Sequence, residues 1–335
     1  MNIRIKKFSK LLDRNKIKAY LEMDESNKFY ITGFKGNPYP LLFVDGQPYF
    51  FTPKMLYAQL LEVAPDVVPV IVEESLIKEL KKFKIKHKIL DLTLSLPALN
   101  YGLYKKLDNI FNLKNFYSIL AEMRMLKDNS ELFKIRKACS ITAHIAQQIP
   151  EILEEGMTES ELTKKINILL IAKAGSQAFD TIVAFGKNTA YPHYIPADVK
   201  YKKGESVLVD FGAKYEHYCA DMTRTYFAED SDIFKRVKEV QEKVLEFVKP
   251  GKTAGEVDAK TRELFKDKVE YFLHSTGHGV GLDVHEKPMI ALQQDIILKK
   301  NMVITIEPGL YIQGKSGVRI EDTIVLTSTG CEILK

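Results

Sequence analysis

Cysteine is scarce in this chain, and long apolar runs are missing. Three cysteines, Cys139, Cys219 and Cys331, are spread over 335 residues. Their odd count and wide spacing fit neither a disulfide framework nor a zinc knuckle. A reduced, cytoplasmic protein is the simple expectation. No uninterrupted apolar stretch approaches the roughly 20 residues of a membrane helix, so no membrane association is expected. The segment Met1-Asn2-Ile3-Arg4-Ile5-Lys6-Lys7 lacks the apolar core of a secretory leader. A strong excess of one charge is also absent. The net charge of +5 is mild for this length, and no nucleic-acid partner is expected. Lys-rich stretches such as Lys81-Lys82-Phe83-Lys84-Ile85-Lys86 read as solvated faces.

The composition that remains is that of an ordinary globular protein. Hydrophobic residues make up 45% and charged residues 28%, enough for sizeable cores. The length suggests about two domains. Residues 1–122 read as a mixed α/β domain. Leu41–Val44 and Pro48–Phe51 flank Asp45-Gly46-Gln47, a hairpin signal. Further strands are expected at 67–72 and 88–91, and helices at 54–63 and 74–83. This part contains no catalytic cluster and reads as a supporting domain.

A polar segment around 123–130 leads into a second domain, 123–335. Asp128 and Glu131 form a capping-box signature ahead of a helical pattern. The domain then echoes itself. Gly156-Met157-Thr158-Glu159-Ser160-Glu161 corresponds to Gly251-Lys252-Thr253-Ala254-Gly255-Glu256. In each, Thr and the Glu three positions later can cap a helix reciprocally. Asp210 and Glu307 stand at nearly the same interval, as do Asp221 and Glu321. Two related α/β halves, each giving two carboxylates to one centre, follow from that pattern.

The carboxylates carry the chemistry. Asp210 lies in Val207-Leu208-Val209-Asp210-Phe211-Gly212, and Asp221 in Ala220-Asp221-Met222-Thr223-Arg224-Thr225. His278 follows in Ser275-Thr276-Gly277-His278-Gly279-Val280-Gly281, then Glu307 before Pro308-Gly309, then Glu321 after Arg319-Ile320. Burying four carboxylates together is prohibitive without cations. Two divalent metals would neutralise them, and one imidazole adds a neutral ligand. Such an oxygen-rich set favours Mn, Co, Zn or Fe over a thiolate-selected metal. Strand alternation puts Asp221, Thr223 and Thr225 on one face, Thr305 and Glu307 on another, and Arg319 with Glu321.

In these motifs the second domain resembles the pita-bread dinuclear metallopeptidases, a family that includes methionine aminopeptidases, Xaa-Pro aminopeptidases and prolidases. The first domain resembles the creatinase-like domain of the proline-specific branch. The resemblance implies an α/β (α+β) fold in which a creatinase-like N-terminal domain precedes a pita-bread catalytic domain with an internal pseudo-two-fold repeat. It implies that Asp210 holds one metal, His278 and Glu307 the other, and that Asp221 and Glu321 bridge the two around a water or hydroxide. Glu307 is then the proton shuttle. His193, in Tyr191-Pro192-His193-Tyr194, and His285, in His285-Glu286-Lys287-Pro288, would contact substrate at the scissile carbonyl. His274 would help form a proline pocket, and Arg319 would orient substrate or a neighbouring carboxylate. Manganese is the favoured metal, and a homodimer is implied. His87, His144 and His217 match no site position.

The substrates implied are peptides with proline in second position. An Xaa-Pro bond has no N–H, so a dedicated pocket for the ring makes physical sense. Many microbial prolidases carry Arg directly after the His-Glu-Xaa-Pro segment, where this chain has Met289. That departure favours an Xaa-Pro aminopeptidase, which releases the first residue of longer peptides. Prolidase, the dipeptidase, is the alternative. A non-catalytic peptide-binding module on the same fold is a more distant one, since all five ligands are present.

Overall fold

Ile5, Phe8 and Leu12 recur at helical spacing, and they are the buried stripe of the first helix. The computed structural model describes residues 2–96, 99–116 and 119–335. The chain divides into two compact units, Met1–Arg124 and Met125–Lys335.

The first unit runs α1 (Ile3–Arg14), β1 (Ala19–Glu22), α2 (Glu25–Thr32), β2 (Leu41–Val44), β3 (Gln47–Thr52), α3 (Tyr57–Val63), β4 (Val68–Ile71), α4 (Leu76–His87), β5 (Asp91–Leu94), α5 (Tyr101–Asp108), β6 (Asn112–Asn115) and α6 (Ile119–Met125). Its strands form one mixed sheet in the order β4-β3-β2-β1-β5-β6. The expected hairpin is β2–β3, and Asp45 and Gly46 at its turn both have positive φ, 48° and 76°. Phe8 of α1 packs edge-on against Tyr20 and Phe43. Leu21, Leu42 and Leu92 point to the opposite face, where they join Leu80 and Phe83 of α4 and Leu107 of α5. The strand expected at 88–91 is displaced. Lys88 caps α4 in a left-handed conformation, φ 52°, and the strand begins only at Asp91. The expected helix at 54–63 opens with a 3-10 turn, Lys54–Leu56, before α3.

The second unit runs α7 (Asn129–Ile152), α8 (Glu159–Ala174), β7 (Ser176–Gln177), β8 (Ile182–Phe185), β9 (Val207–Phe211), β10 (Ala213–Tyr215), β11 (Tyr218–Cys219), β12 (Met222–Tyr226), α9 (Asp232–Phe247), α10 (Ala254–Phe265), β13 (Gly277–Gly279), β14 (Glu286–Ile290), β15 (Val303–Ile306), β16 (Gly309–Ile312), β17 (Ser316–Arg319), β18 (Asp322–Leu326) and β19 (Cys331–Ile333). The main sheets are β12-β9-β8 and β14-β13-β15-β18-β19. The internal echo is structural. Thr158 with Glu161 caps α8, and Thr253 with Glu256 caps α10, both as full capping boxes. Each capping threonine also makes an isolated bridge to a later segment, Thr158 to Lys200 and Thr253 to Ile297. Asp128 and Glu131 cap α7 in the same way.

Helices pack behind each half. Thr142 of α7 accepts a hydrogen bond from the Ala213 backbone N–H of β10 at 2.9 Å. Val237, Val240 and Val244 of α9 and Val257 and Phe265 of α10 share a core with Ile304, Ile306 and Ile324. Each such side chain contributes about 1.5–3 kcal/mol by leaving water. The strand ends opposite the helices are thereby held rigidly, which is what a multi-ligand site requires. Among the described residues, no helix is long and apolar enough to cross a membrane.

Candidate active site

The candidate ligands stand on or beside neighbouring strands of the second unit. Asp210 is on β9, opposite Thr223 of β12. Asp221 immediately precedes β12, His278 is the middle residue of β13, and Glu307 follows β15. Glu321 sits between β17 and β18, and its backbone N–H donates to Thr223 O at 3.1 Å. That bond joins the two halves of the repeat beside the site. Glycines permit the close crossings. A Cβ on Gly212 would lie 1.9 Å from Ala220 O, and one on Gly277 would lie 2.0 Å from Thr305 O. No other residue fits there, which explains why these glycines flank Asp210 and His278.

A cavity of about 470 Å³ brings together every residue singled out from the sequence: Asp210, Asp221, His278, Glu307, Glu321, His193, His274, His285 and Arg319. His278 is nearly buried. Its Nδ1 faces Gly279 O at 3.1 Å, a partner that can only accept, so Nδ1 carries the proton. Nε2 then presents its lone pair to Asp221 Oδ2 at 3.5 Å and to Glu307 Oε1 at 3.4 Å. Burial, then the nearby His285, holds the His278 pKa down at about 4. The ring is therefore neutral, with its Nε2 lone pair turned toward the two acidic side chains.

The carboxylates are under electrostatic stress. Burial, then Glu321, Asp210 and Glu307, pushes the Asp221 pKa well above the ordinary carboxylate range. Burial, then Glu307 and Asp210, does the same to Glu321. Burial raises Glu307 to about 7, with Asp210 adding to the rise and Arg319 opposing it. Asp210 Oδ1 and Asp221 Oδ1 are buried with no hydrogen-bond partner. Three donor sets converge: Asp210, Asp221 and Glu321; His278, Glu307 and Glu321; and Asp221, His278 and His285, each with donor atoms within 4.8 Å of one another. Orphaned carboxylate oxygens, a free imidazole lone pair and raised carboxylate pKa values fit divalent cations. His285 joins one donor set, although the sequence assigned it to substrate.

Arg319 is 3% exposed and heavily engaged. Its Nη2 donates to Asp210 Oδ2 at 2.6 Å, Nη1 to Tyr311 Oη at 2.9 Å and Pro192 O at 3.2 Å, and Nε to Thr223 Oγ1 at 2.8 Å. Thr223 Oγ1 in turn donates to Glu321 Oε2 at 2.6 Å. His274 Nε2 lies 2.8 Å from Tyr311 Oη, and its ring packs against Phe272 and Tyr311. Burial, then Arg319, lowers the His274 pKa to about 3. His193 and His285 are exposed at the cavity edge. Sequence reasoning missed Tyr311, which links His274 to Arg319. His87 is stacked on Phe83 in the first unit, while His144 and His217 are exposed.

Comparison with known proteins decides the family. The model of metallopeptidase family M24 matches residues 134–328, and that of the creatinase/prolidase N-terminal domain matches residues 4–126. The chain belongs to metallopeptidase family M24. An Xaa-Pro dipeptidase of Pyrococcus horikoshii is 36% identical to this M24 protein, over 100% of this chain and 97% of that protein. An Xaa-Pro dipeptidase of Pyrococcus furiosus is 34% identical over 100% and 98%. Among solved structures, an Xaa-Pro dipeptidase from Bacillus anthracis superposes with a TM-score of 0.94 at 30% identity, covering 99% of this chain and 96% of that one. An X-Pro aminopeptidase from Thermotoga maritima superposes with a TM-score of 0.86 at 32% identity, covering 96% of both. The M24 protein is thus a metallopeptidase with the pita-bread fold behind a creatinase-type domain.

Proposed function

We propose that this M24 peptidase is a prolidase, hydrolysing the bond of Xaa-Pro dipeptides. The observation that carries the reading is the full-length similarity to Xaa-Pro dipeptidases, two of which are 36% and 34% identical over the whole chain. This reverses the preference drawn from Met289. The aminopeptidase remains a second reading, because Arg319 is the one lysine or arginine among the described residues lining the cavity, and Asp210, Tyr311 and Thr223 already engage it. A free proline carboxylate has no uncommitted cation there, whereas a longer peptide needs none.

Asp210, Asp221, His278, Glu307 and Glu321 would hold two divalent cations, with Mn favoured and Co, Zn or Fe possible by donor type. Asp210 would serve one side, His278 and Glu307 the other, and Asp221 and Glu321 both. When bound, the cations supply Lewis acidity and make water a nucleophile near neutral pH. Glu307 carries the proton. It stands beside His278 at the cavity, 3.4 Å from Nε2, placed to take the proton of the attacking water and deliver one to the departing proline nitrogen. His193 and His285 donate to the scissile carbonyl oxygen as charge develops there. His274, with Phe272 and Tyr311 beside it, gives the pyrrolidine ring an aromatic wall. Arg319 fixes the Asp210 carboxylate. The three unpaired thiols accord with a cytoplasmic enzyme, and a homodimer is the proposed assembly.

The test compares Gly-Pro with a Gly-Pro-Xaa tripeptide, using protein reloaded with Mn or Co and mass detection of products. Hydrolysis of the dipeptide with the tripeptide left intact establishes the prolidase. Release of glycine mainly from the tripeptide replaces it with the aminopeptidase.

A further inference from the structure

We propose that Glu159 is a positioning residue for the reaction: from the helix layer it holds the segment 185–197, and through it sets where His193 stands in the cavity. The inference rests on the role given to His193 under the proposed function. Glu159 is the first residue of α8, is fully buried and is not among the residues lining the cavity. Its carboxylate is satisfied by the segment. Oε1 accepts from the Phe185 backbone N–H at 2.8 Å and from Asn188 Nδ2 at 3.0 Å, and Oε2 accepts from the Ala197 backbone N–H at 3.2 Å. One side chain thus ties both ends of the segment and its middle to one helix turn. Asn188 Nδ2 also donates to Tyr194 Oη at 2.9 Å, next to His193.

His193 and Tyr194 lie outside helix and strand, so their placement depends on such ties. On the other side, Arg319 Nη1 donates to Pro192 O at 3.2 Å, and the Gly317 backbone N–H donates to Thr189 Oγ1 at 2.8 Å. The segment is held between α8 and β17, with His193 at the cavity edge.

The internal repeat separates this role from the needs of the helix itself. In α8 the N–H groups of Glu159 and Ser160 donate to Val199 O and Ala197 O, both at 3.1 Å. In α10 those of Ala254 and Gly255 donate to Ile296 O and Gln294 O, both at 2.9 Å. Capping falls to Glu161 and Glu256. The same docking and the same cap are therefore made with alanine in the place of Glu159. Burying a carboxylate is costly unless hydrogen bonds compensate, and here all three backbone and amide donors belong to the segment that carries His193. A donor to a developing oxyanion acts only in its place, and a misplacement of about 1 Å can cost about 100-fold.

The experiment is a double-mutant cycle on Mn-loaded protein, with Gly-Pro and Gly-Pro-Ala as substrates. Glu159→Gln keeps one acceptor oxygen and sets an NH2 among N–H donors, so Phe185 or Ala197 loses its partner. It should lower kcat by about 10- to 100-fold with KM within about twofold of wild type. In a His193→Ala background the same substitution should cost no more than about twofold, because the group it places is gone. Calorimetric titration of the metal-free variant should give the wild-type affinity for Mn. An equal loss in both backgrounds would overturn the proposal, as would wild-type kcat in Glu159→Gln or a loss that follows weakened Mn binding. Asn188→Ala, at a half-buried position, cuts the link to Tyr194 without touching the buried carboxylate. It carries the same comparison if Glu159→Gln does not fold, with the same outcomes for and against. His193→Ala without loss of activity removes this inference and leaves the peptidase reading standing. A wild type that hydrolyses neither peptide fails that reading itself, a result visible before any variant is made.

Discussion

Lys127 Nζ lies 2.7 Å from Glu286 Oε1, and the two side chains are only 1% and 8% exposed. Lys127 stands just ahead of the Asp128 cap of α7, and its backbone N–H donates to Asn301 O at 3.0 Å. Glu286 follows His285 and opens β14. A Cβ on Gly281 would lie 2.5 Å from Glu286 Oε1, so the carboxylate fills the space beside that glycine. The pair thus fastens the segment that presents His285. Removing one partner leaves a buried charge, which typically costs about 3–5 kcal/mol. Lys127→Met should lower urea stability by that order, and Lys127→Met with Glu286→Gln should recover part of it. A double variant no more stable than the single one would show that the ion pair is not the source of the loss.

Thr223 couples two charged groups. It accepts from Arg319 Nε and donates to Glu321 Oε2. Thr223→Val keeps the shape and removes both bonds. The expected loss is about 1–3 kcal/mol of stability, because a buried donor and a buried acceptor lose their partner. Cation affinity should fall by about 10- to 100-fold, the usual effect of disturbing a group that orients a ligand. Calorimetric titration of the metal-free variant with Mn measures this, and an affinity equal to wild type would refute the coupling.

What could be read from the sequence was local. The three capping boxes and the Asp45-Gly46 turn are each decided within four residues, and each is present. The five candidate ligands stood out because their motifs are short, and the structure brings all five into one cavity; glycine crossings lie beside Asp210 and His278. The spacing of Ile5, Phe8 and Leu12 carries the same kind of local signal for α1. Lys88 misled because a lysine in left-handed conformation leaves no mark in a stretch that otherwise resembles a strand. Tyr311 stayed hidden because its role depends on contacts with His274 and Arg319 that only the folded chain creates. Met289 does line the cavity, yet one residue did not outweigh the full-length likeness to dipeptidases.

The first unit carries its own pH dependence. Glu22 is fully buried and accepts hydrogen bonds from Tyr20 Oη, the Asp24 backbone N–H and Asn27 Nδ2. Burial outweighs those bonds and raises its pKa from 4.5 to about 7. The folded state therefore binds a proton more tightly than the unfolded state. The resulting stability is fully present below the unfolded value and is lost as pH rises through about 7. The full difference is on the order of 3 kcal/mol. Glu22→Gln cannot titrate, so its stability relative to wild type should rise between about pH 5 and pH 8. Hydrogen exchange at the amides of β1 and α2 would measure it. A wild-type-to-variant difference that does not change with pH would contradict the sign argued here.

Cation removal should expose the strain of the carboxylate cluster. Without cations, Glu307 holds a proton up to about pH 7, because burial outweighs the opposing Arg319. Its contribution follows the same sign as Glu22: present below the unfolded value, lost as pH rises through about 7. Chelated protein should therefore melt at a lower temperature at about pH 8 than at about pH 6. Cations compete with those protons, so apparent affinity for Mn should rise over the same interval. Mn at about 100 times its Kd adds roughly 2.7 kcal/mol by mass action, and the loaded protein should lose the fall in melting temperature. Glu321→Gln removes a carboxylate common to two of the donor sets. It should weaken the response to Mn while relieving repulsion in the chelated state, so the variant should melt higher than wild type under chelation and lower under saturation. Thermal unfolding of both proteins, with chelator and with Mn, checks the crossing. Parallel shifts of the two proteins under both conditions would mean that Glu321 neither repels its neighbours nor holds the cation.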